Sequence, residues 1–246
     1  MINMNNNHSL FGESFDQLTS EINRLGYDGV LYSFFPRPMY LNSKIQPVLQ
    51  YSDGYAPFVS HYLENNYGNR DFILRLALEG RNTPINWWEE IATGNVSPEE
   101  AEVTLDSRQN FGIQHGISIP VLSGSFAIAG ISVICKSGDD EHFEKLNDRS
   151  LSELKALASS YHTKIIMSQE GMRFFIEPLL ERLNDTKRKV LKHLLSNQPM
   201  KTIPETEGIS QKYAEKVILM MRKEFGDIST NELLYILGMV HIHQYL

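Results

Sequence analysis

The sequence lacks several features that define whole classes of protein. It contains a single cysteine, Cys135, which excludes an intramolecular disulfide bond. Cys135 lies in the apolar run AIAGISVIC, where we expect a buried, reduced and inert thiol. No apolar run approaches the roughly 20 residues that span a bilayer, and the polar start MINMNNNHSL does not resemble a signal peptide. We therefore expect a cytoplasmic protein with no membrane partner.

Motifs that carry catalysis are also missing. We find no G-x-S-x-G nucleophile elbow, no P-loop, and no His and Cys spacing typical of a metal site. An enzyme acting on a small signal molecule is an alternative that no motif supports. The sequence thus predicts a protein that is not an enzyme and has no catalytic residue, metal or cofactor.

Charge divides the chain into two parts. Hydrophobic residues make up 41% and charged residues 22%, which is ordinary for a globular protein with a full core. Residues 1–177 hold 13 basic and 22 acidic side chains, whereas residues 178–246 hold ten and eight. This asymmetry indicates two parts with different partners. We predict an α/β domain over 1–170, a linker over 171–177 and an all-helical domain over 178–246.

Hydrophobic periodicity predicts the elements of the first domain. Apolar residues recur at helical spacing over 12–27 and 139–168. The runs GVLYSFF, PVLQYS, ISIPVL and FAIAGISVIC are typical of strands, and SGS joins the last two as a hairpin. Pro57 suits the first turn of a helix through FVSHYLENNY, while Asp71 and Ser97 suit helix N-caps.

From residue 178 onward the patterns are helical only. Ser210 suits the N-cap of a basic helix, and Ser229 with Glu232 forms a capping-box pattern at the next helix. A short helix, a turn at EGIS and a longer basic helix fit a helix-turn-helix, although any three-helix bundle has such a turn. The residues that we predict at a DNA surface are Ser210, Lys212, Tyr213, Lys216 and Arg222.

The stretch FVSHYLENNYGNRDF sets four side chains apart by steps of four, five and four, namely Phe58, Tyr62, Tyr67 and Asp71. Steps of four put side chains on one face of a helix. Taken alone, such an aromatic stripe is more often core than ligand wall, and a lone aspartate is more often an N-cap. The residues by themselves leave both interpretations open.

Read with the motifs downstream, this spacing resembles the LuxR family of quorum-sensing receptors over nearly the full chain. That family has Trp, Tyr, Tyr and Asp at the spacing of this stretch, and a further Trp close to the positions of Trp87 and Trp88. The run FGIQHGISIP also matches, through Gly112, His115, Gly116 and Pro120. Ser132 stands where many members have a hydroxyl that contacts the ligand.

The resemblance implies an N-terminal autoinducer-binding domain and a C-terminal helix-turn-helix. We accordingly predict an α-β-α sandwich with a central antiparallel sheet, followed by a small all-α domain. The implied ligand is an acyl-homoserine lactone or a similar small signal. Asp71 would accept a hydrogen bond from the amide N–H of that ligand. The implied ligand-binding residues are Tyr55, Phe58, Tyr62, Asp71, Trp87, Trp88 and Ser132, of which Tyr62 and Ser132 match positions that bond a carbonyl.

Several residues depart from the family pattern. Phe58 replaces a tryptophan whose indole N–H bonds the lactone carbonyl, and losing such a buried bond costs roughly 1–3 kcal/mol. Tyr55 is the candidate to compensate; otherwise the ligand is not a homoserine lactone. In the second domain, Pro204 removes a backbone donor from the first helix of the motif and should shorten it. Glu207 stands where the family has a core Leu, and Glu215 brings a negative charge toward phosphate.

Two regulatory functions follow. The first is a ligand-controlled transcription regulator of quorum sensing that forms a homodimer and binds double-stranded DNA at a near-palindromic site. Helices over 139–168 and 229–243 are its candidate dimer surfaces. The alternative is a regulator with impaired DNA reading that acts by heterodimerising with another receptor, which Pro204 and Glu215 motivate.

Overall fold

The structure is a computed structural model, and it describes residues 10–36, 47–124, 127–168, 171, 173, 180–225, 227–239 and 242–246. The chain divides into two compact units, one of Met1–Phe35 with Pro47–Ser168 and one of Pro36–Gln46 with Gln169–Leu246. The predicted linker, 171–177, lies almost wholly outside the described residues. The proposed domain bounds therefore stay predictions.

The first unit is an α/β structure built on one sheet. Its strands are β1 (Gly29–Pro36), β2 (Val48–Tyr51), β3 (Ile85–Asn86), β4 (His115–Ser123) and β5 (Ala127–Cys135). Its helices are α1 (Leu10–Leu25), α2 (Ala56–Glu64), α3 (Phe72–Leu78), α4 (Trp87–Ala92), α5 (Pro98–Phe111) and α6 (Asp140–Ile166). The sheet has five strands in the order β2-β1-β5-β4-β3. The β1–β2, β3–β4 and β4–β5 pairs are antiparallel, which confirms the predicted α/β class with a central antiparallel sheet.

Helices cover both faces of the sheet. Helices α1 and α6 pack on one face, where the hydroxyl of Tyr32 on β1 lies 2.9 Å from Nδ1 of His162 on α6. The predicted stripe of α1 is buried there, through Phe15, Leu18, Ile22 and Leu25. Helices α3 and α4 contact β4 from the other face. Because side chains alternate along a strand, each strand contributes to both layers.

The predicted helix starts are confirmed in this unit. Asp71 caps α3, since its Oδ1 accepts from the Ile73 N–H at 2.8 Å. Ser97 and Glu100 form a reciprocal capping box at the start of α5, just before Pro98. These side chains satisfy backbone N–H groups that have no partner within the helix.

The predicted continuous helix through Tyr67 is wrong. Helix α2 ends at Glu64, and Asn66 adopts a left-handed conformation with φ 53°. Tyr67 therefore begins a separate 3-10 turn, Tyr67–Asn69, ahead of α3. The residues from Phe58 to Asp71 do not lie on one helical face. The left-handed backbone at Asn66 separates α2 from the 3-10 turn and from α3.

The second unit is helical throughout its described residues. It contains α7 (Asp185–Leu195), α8 (Ile203–Glu207), α9 (Gln211–Glu224) and α10 (Thr230–Met239), with 3-10 turns at Met200–Thr202 and Ile242–Gln244. Ser210 caps α9, and Ser229 with Glu232 forms the predicted capping box at α10. Pro204 lies in the first turn of α8, which is only five residues long, as expected of a residue that donates no backbone bond.

One arginine holds the start and end of the second unit together. The guanidinium of Arg188 donates to the carbonyls of Leu183 and Tyr245, both at 2.9 Å, and of Leu180 at 3.1 Å. It thereby satisfies three backbone acceptors, of which those of Leu183 and Tyr245 lie outside the helices. Among the described residues of both units, no helix is both long and apolar enough to cross a membrane.

Candidate functional site

The first unit contains a cavity of about 100 Å³ between the sheet and helices α2 to α5. An internal space of roughly 10–15 Å³ is enough for one water molecule, so this cavity has room for a larger guest. Apolar side chains form most of its wall. The polar or titratable side chains on the wall are Ser33, Tyr55, Tyr62, Asp71, Trp87, Thr104, Ser107, Ser118 and Ser132.

The structure brings most of the predicted ligand-binding residues to this wall. They are Tyr55, Phe58, Tyr62, Asp71, Trp87 and Ser132. Four elements, α2, α3, α4 and β5, supply them directly or through an N-cap residue, so residues distant in sequence converge on one space. Their contact with a ligand stays a prediction.

Asp71 is the carboxylate of the cavity. Its Oδ1 caps α3, while its Oδ2 accepts from the hydroxyl of Tyr62 at 2.7 Å. Burial raises the pKa of Asp71, although the hydrogen bonds from Tyr62 and from backbone N–H groups oppose that rise. A carboxylate accepts about four hydrogen bonds, so it can take a further donor from within the cavity.

The two tyrosines beside Asp71 differ in their hydrogen bonding. The hydrogen of Tyr62 is used by the carboxylate, so it is not available to a ligand carbonyl as the sequence resemblance implied. Tyr55 is only 2% exposed, and its hydroxyl has no hydrogen-bond partner among the described residues. Burial and the nearby Asp71 raise the pKa of Tyr55, which keeps its hydroxyl protonated.

Phe58 supplies shape and no polar contact. Its ring packs edge-on against Tyr62 and Phe111, at centroid distances of 6.0 and 5.4 Å, and tilted against Tyr55 at 6.2 Å. The absence of an N–H at this position follows from the residue type alone. Tyr55 is the adjacent side chain with a hydrogen to donate.

A second polar group on the wall joins three side chains. Trp87 Nε1 donates to Ser118 Oγ at 3.0 Å, and Ser118 Oγ lies 2.7 Å from Ser132 Oγ. Ser118 and Ser132 are directly opposite in the β4–β5 ladder. The indole lies against Gly116, where a Cβ atom would come within 2.4 Å of the ring.

Trp88 does not border the cavity, contrary to the prediction. It is half-buried, its Nε1 donates to the Gln114 carbonyl at 2.6 Å, and the guanidinium of Arg108 lies 3.9 Å from its ring centroid. Consecutive residues at a helix start point in different directions, so only one of the two tryptophans reaches the cavity. The cation–π contact and the carbonyl bond account for the position of Trp88.

Tyr67 also lies away from the cavity. Its hydroxyl donates to Asp106 Oδ2 at 2.9 Å, and His61 Nε2 lies 2.9 Å from the same oxygen. This cluster joins α2 and its following turn to α5. In the part of the chain that the structure describes, no three His, Cys, Asp or Glu residues lie close enough together to hold a metal ion.

Sequence reasoning missed Ser118 and the close packing of Trp87 on Gly116. Strand alternation in HGISIP contains a usable signal, because Gly116, Ser118 and Pro120 fall on the same face of β4. The hydroxyl wall of α5 was also missed. There Thr104 and Ser107 border the cavity, and Ser107 Oγ donates to the Thr104 carbonyl at 2.8 Å.

In the second unit, most of the predicted DNA-contacting side chains lie on the outside of α9. Ser210, Lys212, Tyr213 and Lys216 are exposed. Arg222 is half-buried and its Nε donates to the Ile228 carbonyl at 2.6 Å, so it fastens the turn between α9 and α10. Contact of all five residues with DNA stays a prediction.

Comparisons with known proteins agree with the architecture. The family model "Autoinducer binding domain" matches residues 12–165. The structure of SdiA in complex with octanoyl-rac-glycerol shares 13% identity with a TM-score of 0.50, covering 94% of this chain and 88% of that one. Another crystal structure of SdiA, from Escherichia coli, shares 13% identity with a TM-score of 0.49, covering 95% and 92%.

A third structure, that of the N-acylhomoserine lactone dependent LuxR family transcription factor CepR2 from Burkholderia cenocepacia, shares 12% identity with a TM-score of 0.44. The match covers 60% of this chain and 82% of the CepR2 chain. No curated protein sequence matches the chain. At 13% identity, the SdiA complex with a TM-score of 0.50 supports the fold alone. The family model, in contrast, spans more than half of the chain. The chain therefore belongs to the autoinducer binding domain family of LuxR-type proteins.

Proposed function

We propose that the first unit binds an acyl-homoserine lactone or a closely related acylated signal, and that the chain is a ligand-responsive transcription regulator. The observation that carries the proposal is an apolar cavity with the carboxylate of Asp71 in its wall. A buried carboxylate that keeps a free acceptor site is suited to a guest that brings an N–H group.

An acylated amide complements this wall. Each methylene of an acyl tail gains about 0.8 kcal/mol on leaving water. The amide N–H of the guest would be desolvated in the cavity and needs an acceptor, which Asp71 provides. A charge-assisted bond of this kind is worth about 1.5–3 kcal/mol.

The carbonyl groups of the guest need donors. Tyr55 is the donor that we assign beside Asp71, because its hydroxyl has no partner among the described residues and lines the cavity. Tyr62 orients the carboxylate by donating to Oδ2. This assignment gives Tyr55 the function that the family pattern gives to a tryptophan at the position of Phe58.

A direct binding experiment tests the proposed ligand. Isothermal titration calorimetry with N-octanoyl-L-homoserine lactone is expected to show saturable binding, and Tyr55→Phe is expected to weaken it about tenfold. Tyr67→Phe is the matched control, since that hydroxyl donates to Asp106 outside the cavity. Absence of binding to a panel of such lactones, with no acylated molecule found by mass spectrometry in the purified protein, would refute this ligand class.

For the second unit we infer binding to double-stranded DNA by a homodimer. The inference rests on the exposed basic side chains Lys212 and Lys216, which follow the Ser210 cap at the start of α9. Enrichment of a near-palindromic sequence from a random DNA pool is the expected result. Lys216→Ala is expected to lower the salt dependence of binding by about one unit of slope, whereas Lys136→Ala, at an exposed position outside both candidate dimer surfaces, leaves it unchanged.

Pairing with another receptor of the same kind is the second candidate function. It is favoured by the outer side of α9, where Glu215 accepts from Gln211 Nε2 at 2.8 Å and Leu219 and Met220 are 47% and 39% exposed. A negative charge and apolar side chains are poor partners for phosphate. Failure of the DNA selection, with recovery of a related receptor from host extract, would favour this function over the first.

A further inference from the structure

We propose that Ser118 is a positioning residue that turns Ser132 into a hydrogen-bond donor, so that the cavity selects signals that place an oxygen acceptor beside Ser132. Ser118 is not among the ligand-binding residues predicted from the sequence. The inference rests on the proposed signal-binding function of the cavity. The family resemblance already implies that Ser132 bonds a carbonyl; the inference adds Ser118 as the residue that directs the hydrogen of Ser132.

The first step is the fixed direction of the Trp87 indole. Trp87 is 3% exposed, and a Cβ atom at residue 116 would lie 2.4 Å from two atoms of its ring and 2.5 Å from a third. Only glycine allows this close approach. The ring is therefore held flat against β4, with its N–H directed at Ser118 Oγ at 3.0 Å.

The second step is a count of hydrogen atoms. An indole N–H only donates, whereas each serine hydroxyl has one hydrogen to donate and can also accept. Trp87 gives its hydrogen to Ser118, and one hydroxyl hydrogen lies between Ser118 and Ser132, whose oxygens are 2.7 Å apart. One hydroxyl hydrogen is left, and it has no acceptor among the described residues.

The third step decides which serine keeps that hydrogen free. Ser118 is 5% exposed, and the only acceptor it reaches among the described residues is Ser132. Accepting from the indole also polarises Ser118 and makes it the better donor, as in other hydrogen-bond chains. The chain therefore runs from Trp87 through Ser118 to Ser132, and the half-buried Ser132 directs the free hydrogen into the cavity.

A selection rule follows from this direction. A guest with a carbonyl or other oxygen acceptor beside Ser132 completes the chain. A guest with an apolar group there leaves a buried donor unpaired, which lowers affinity by roughly 5- to 150-fold. The two ends of polar recognition thus have opposite requirements, because Asp71 takes a donor and Ser132 takes an acceptor.

The hydrogen-bond chain from Trp87 through Ser118 to Ser132 is testable in the ligand-free protein. The sequence has two tryptophans, so the indole region of a ¹H–¹⁵N correlation spectrum contains one signal for each. Ser132→Ala does not remove the partner of Trp87, yet we expect it to shift the Trp87 indole signal upfield because the chain is shortened. The Trp88 signal, whose N–H is bonded to the Gln114 carbonyl, is the internal control and should not move. An unmoved Trp87 signal would overturn the proposal.

The effect on recognition is measured by a double-mutant cycle with N-octanoyl-L-homoserine lactone as the probe. Ser118→Ala is expected to weaken binding about tenfold in the wild-type background and less than about twofold in the Ser132→Ala background. Ser118→Thr, which keeps the hydroxyl, is expected to restore binding and guards against misfolding as the cause of the loss. Equal losses in both backgrounds would overturn the relay. If the wild type binds no lactone, the proposed ligand class is refuted. The Trp87 and Trp88 indole signals then test the hydrogen-bond relay independently of any ligand.

Discussion

The substitution Asp71→Asn removes the negative charge of the cavity carboxylate and keeps its other functions, which are to cap α3 and to accept from Tyr62. Asp71 caps α3 through the Ile73 N–H at 2.8 Å and accepts from Tyr62 at 2.7 Å. Asparagine keeps an acceptor oxygen of the same shape and is itself a good N-cap. Asp71→Asn should therefore fold, while the amide N–H of a signal loses its charged partner.

The expected loss follows from the type of hydrogen bond. A bond to a charged group contributes about 1.5–3 kcal/mol, and a neutral one about 0.5–1.5 kcal/mol. The difference, about 1–1.5 kcal/mol, predicts a dissociation constant roughly 5- to 13-fold larger for Asp71→Asn at pH 7. Asp71→Ala should bind no better and should also lose about 1 kcal/mol of stability with the helix cap.

The pH dependence gives an independent check. Burial raises the pKa of Asp71 above its ordinary value of 3.8, and a bound N–H favours the ionised form. Wild-type affinity should therefore fall as the pH drops toward that raised pKa, whereas the affinity of Asp71→Asn stays level. For the ligand-free protein the sign is reversed: the stability that this group contributes is lost as pH rises through its folded pKa, and the asparagine variant escapes that loss.

Calorimetric titration of N-octanoyl-L-homoserine lactone at pH 7 and at lower pH measures both effects. Asp106→Asn is the matched control, since that carboxylate accepts from Tyr67 at 2.9 Å and does not border the cavity. It should leave the dissociation constant within about twofold of wild type. An Asp71→Asn variant that binds as tightly as wild type, or a wild-type affinity that rises on acidification, would refute the assigned contact.

Three further changes test the packing around the site and in the second unit. Gly116→Ala forces a methyl group to within 2.4 Å of an indole ring and should destabilise the first unit by about 1–3 kcal/mol in chemical denaturation, whereas Gly138→Ala, with open space around it, should not. Burial lowers the pKa of His162 from 6.5 to about 4. The wild type should therefore lose up to about 3 kcal/mol of unfolding free energy as pH falls from 6.5 to 4. A His162→Gln variant whose unfolding free energy depends on pH as steeply as that of the wild type would contradict this. Arg188→Ala removes three bonds to carbonyls and should speed amide hydrogen exchange throughout the second unit, while the exposed Lys189→Ala should leave it unchanged.

Much of the secondary structure was predictable because its causes are local. Ser97 before Pro98 specifies a helix start within four residues, and two apolar runs joined by SGS specify the hairpin of β4 and β5. Two short elements, β3 (Ile85–Asn86) and α4 (Trp87–Ala92), were not predicted. They are too short to show a period, and both pack on β4.

Part of the site was predictable by resemblance and by no other means. The spacing of Phe58, Tyr62 and Asp71 placed all three at one cavity, although the helix assumed to hold them is interrupted at Asn66. The same spacing included Tyr67, which bonds Asp106 outside the cavity. A one-dimensional spacing cannot distinguish these outcomes, because a single left-handed residue redirects everything that follows.

The sequence by itself determined where helices begin, which strand faces are apolar, and that an aspartate would stand at the start of α3. These properties depend on neighbours a few residues away. Only the tertiary structure decided that Trp87 and not Trp88 faces the cavity, that Tyr62 gives its hydrogen to Asp71, and that Ser118 meets Ser132. Hydrogen-bond partners across a cavity depend on strand register and helix packing to within a fraction of an ångström, and no local pattern carries that information.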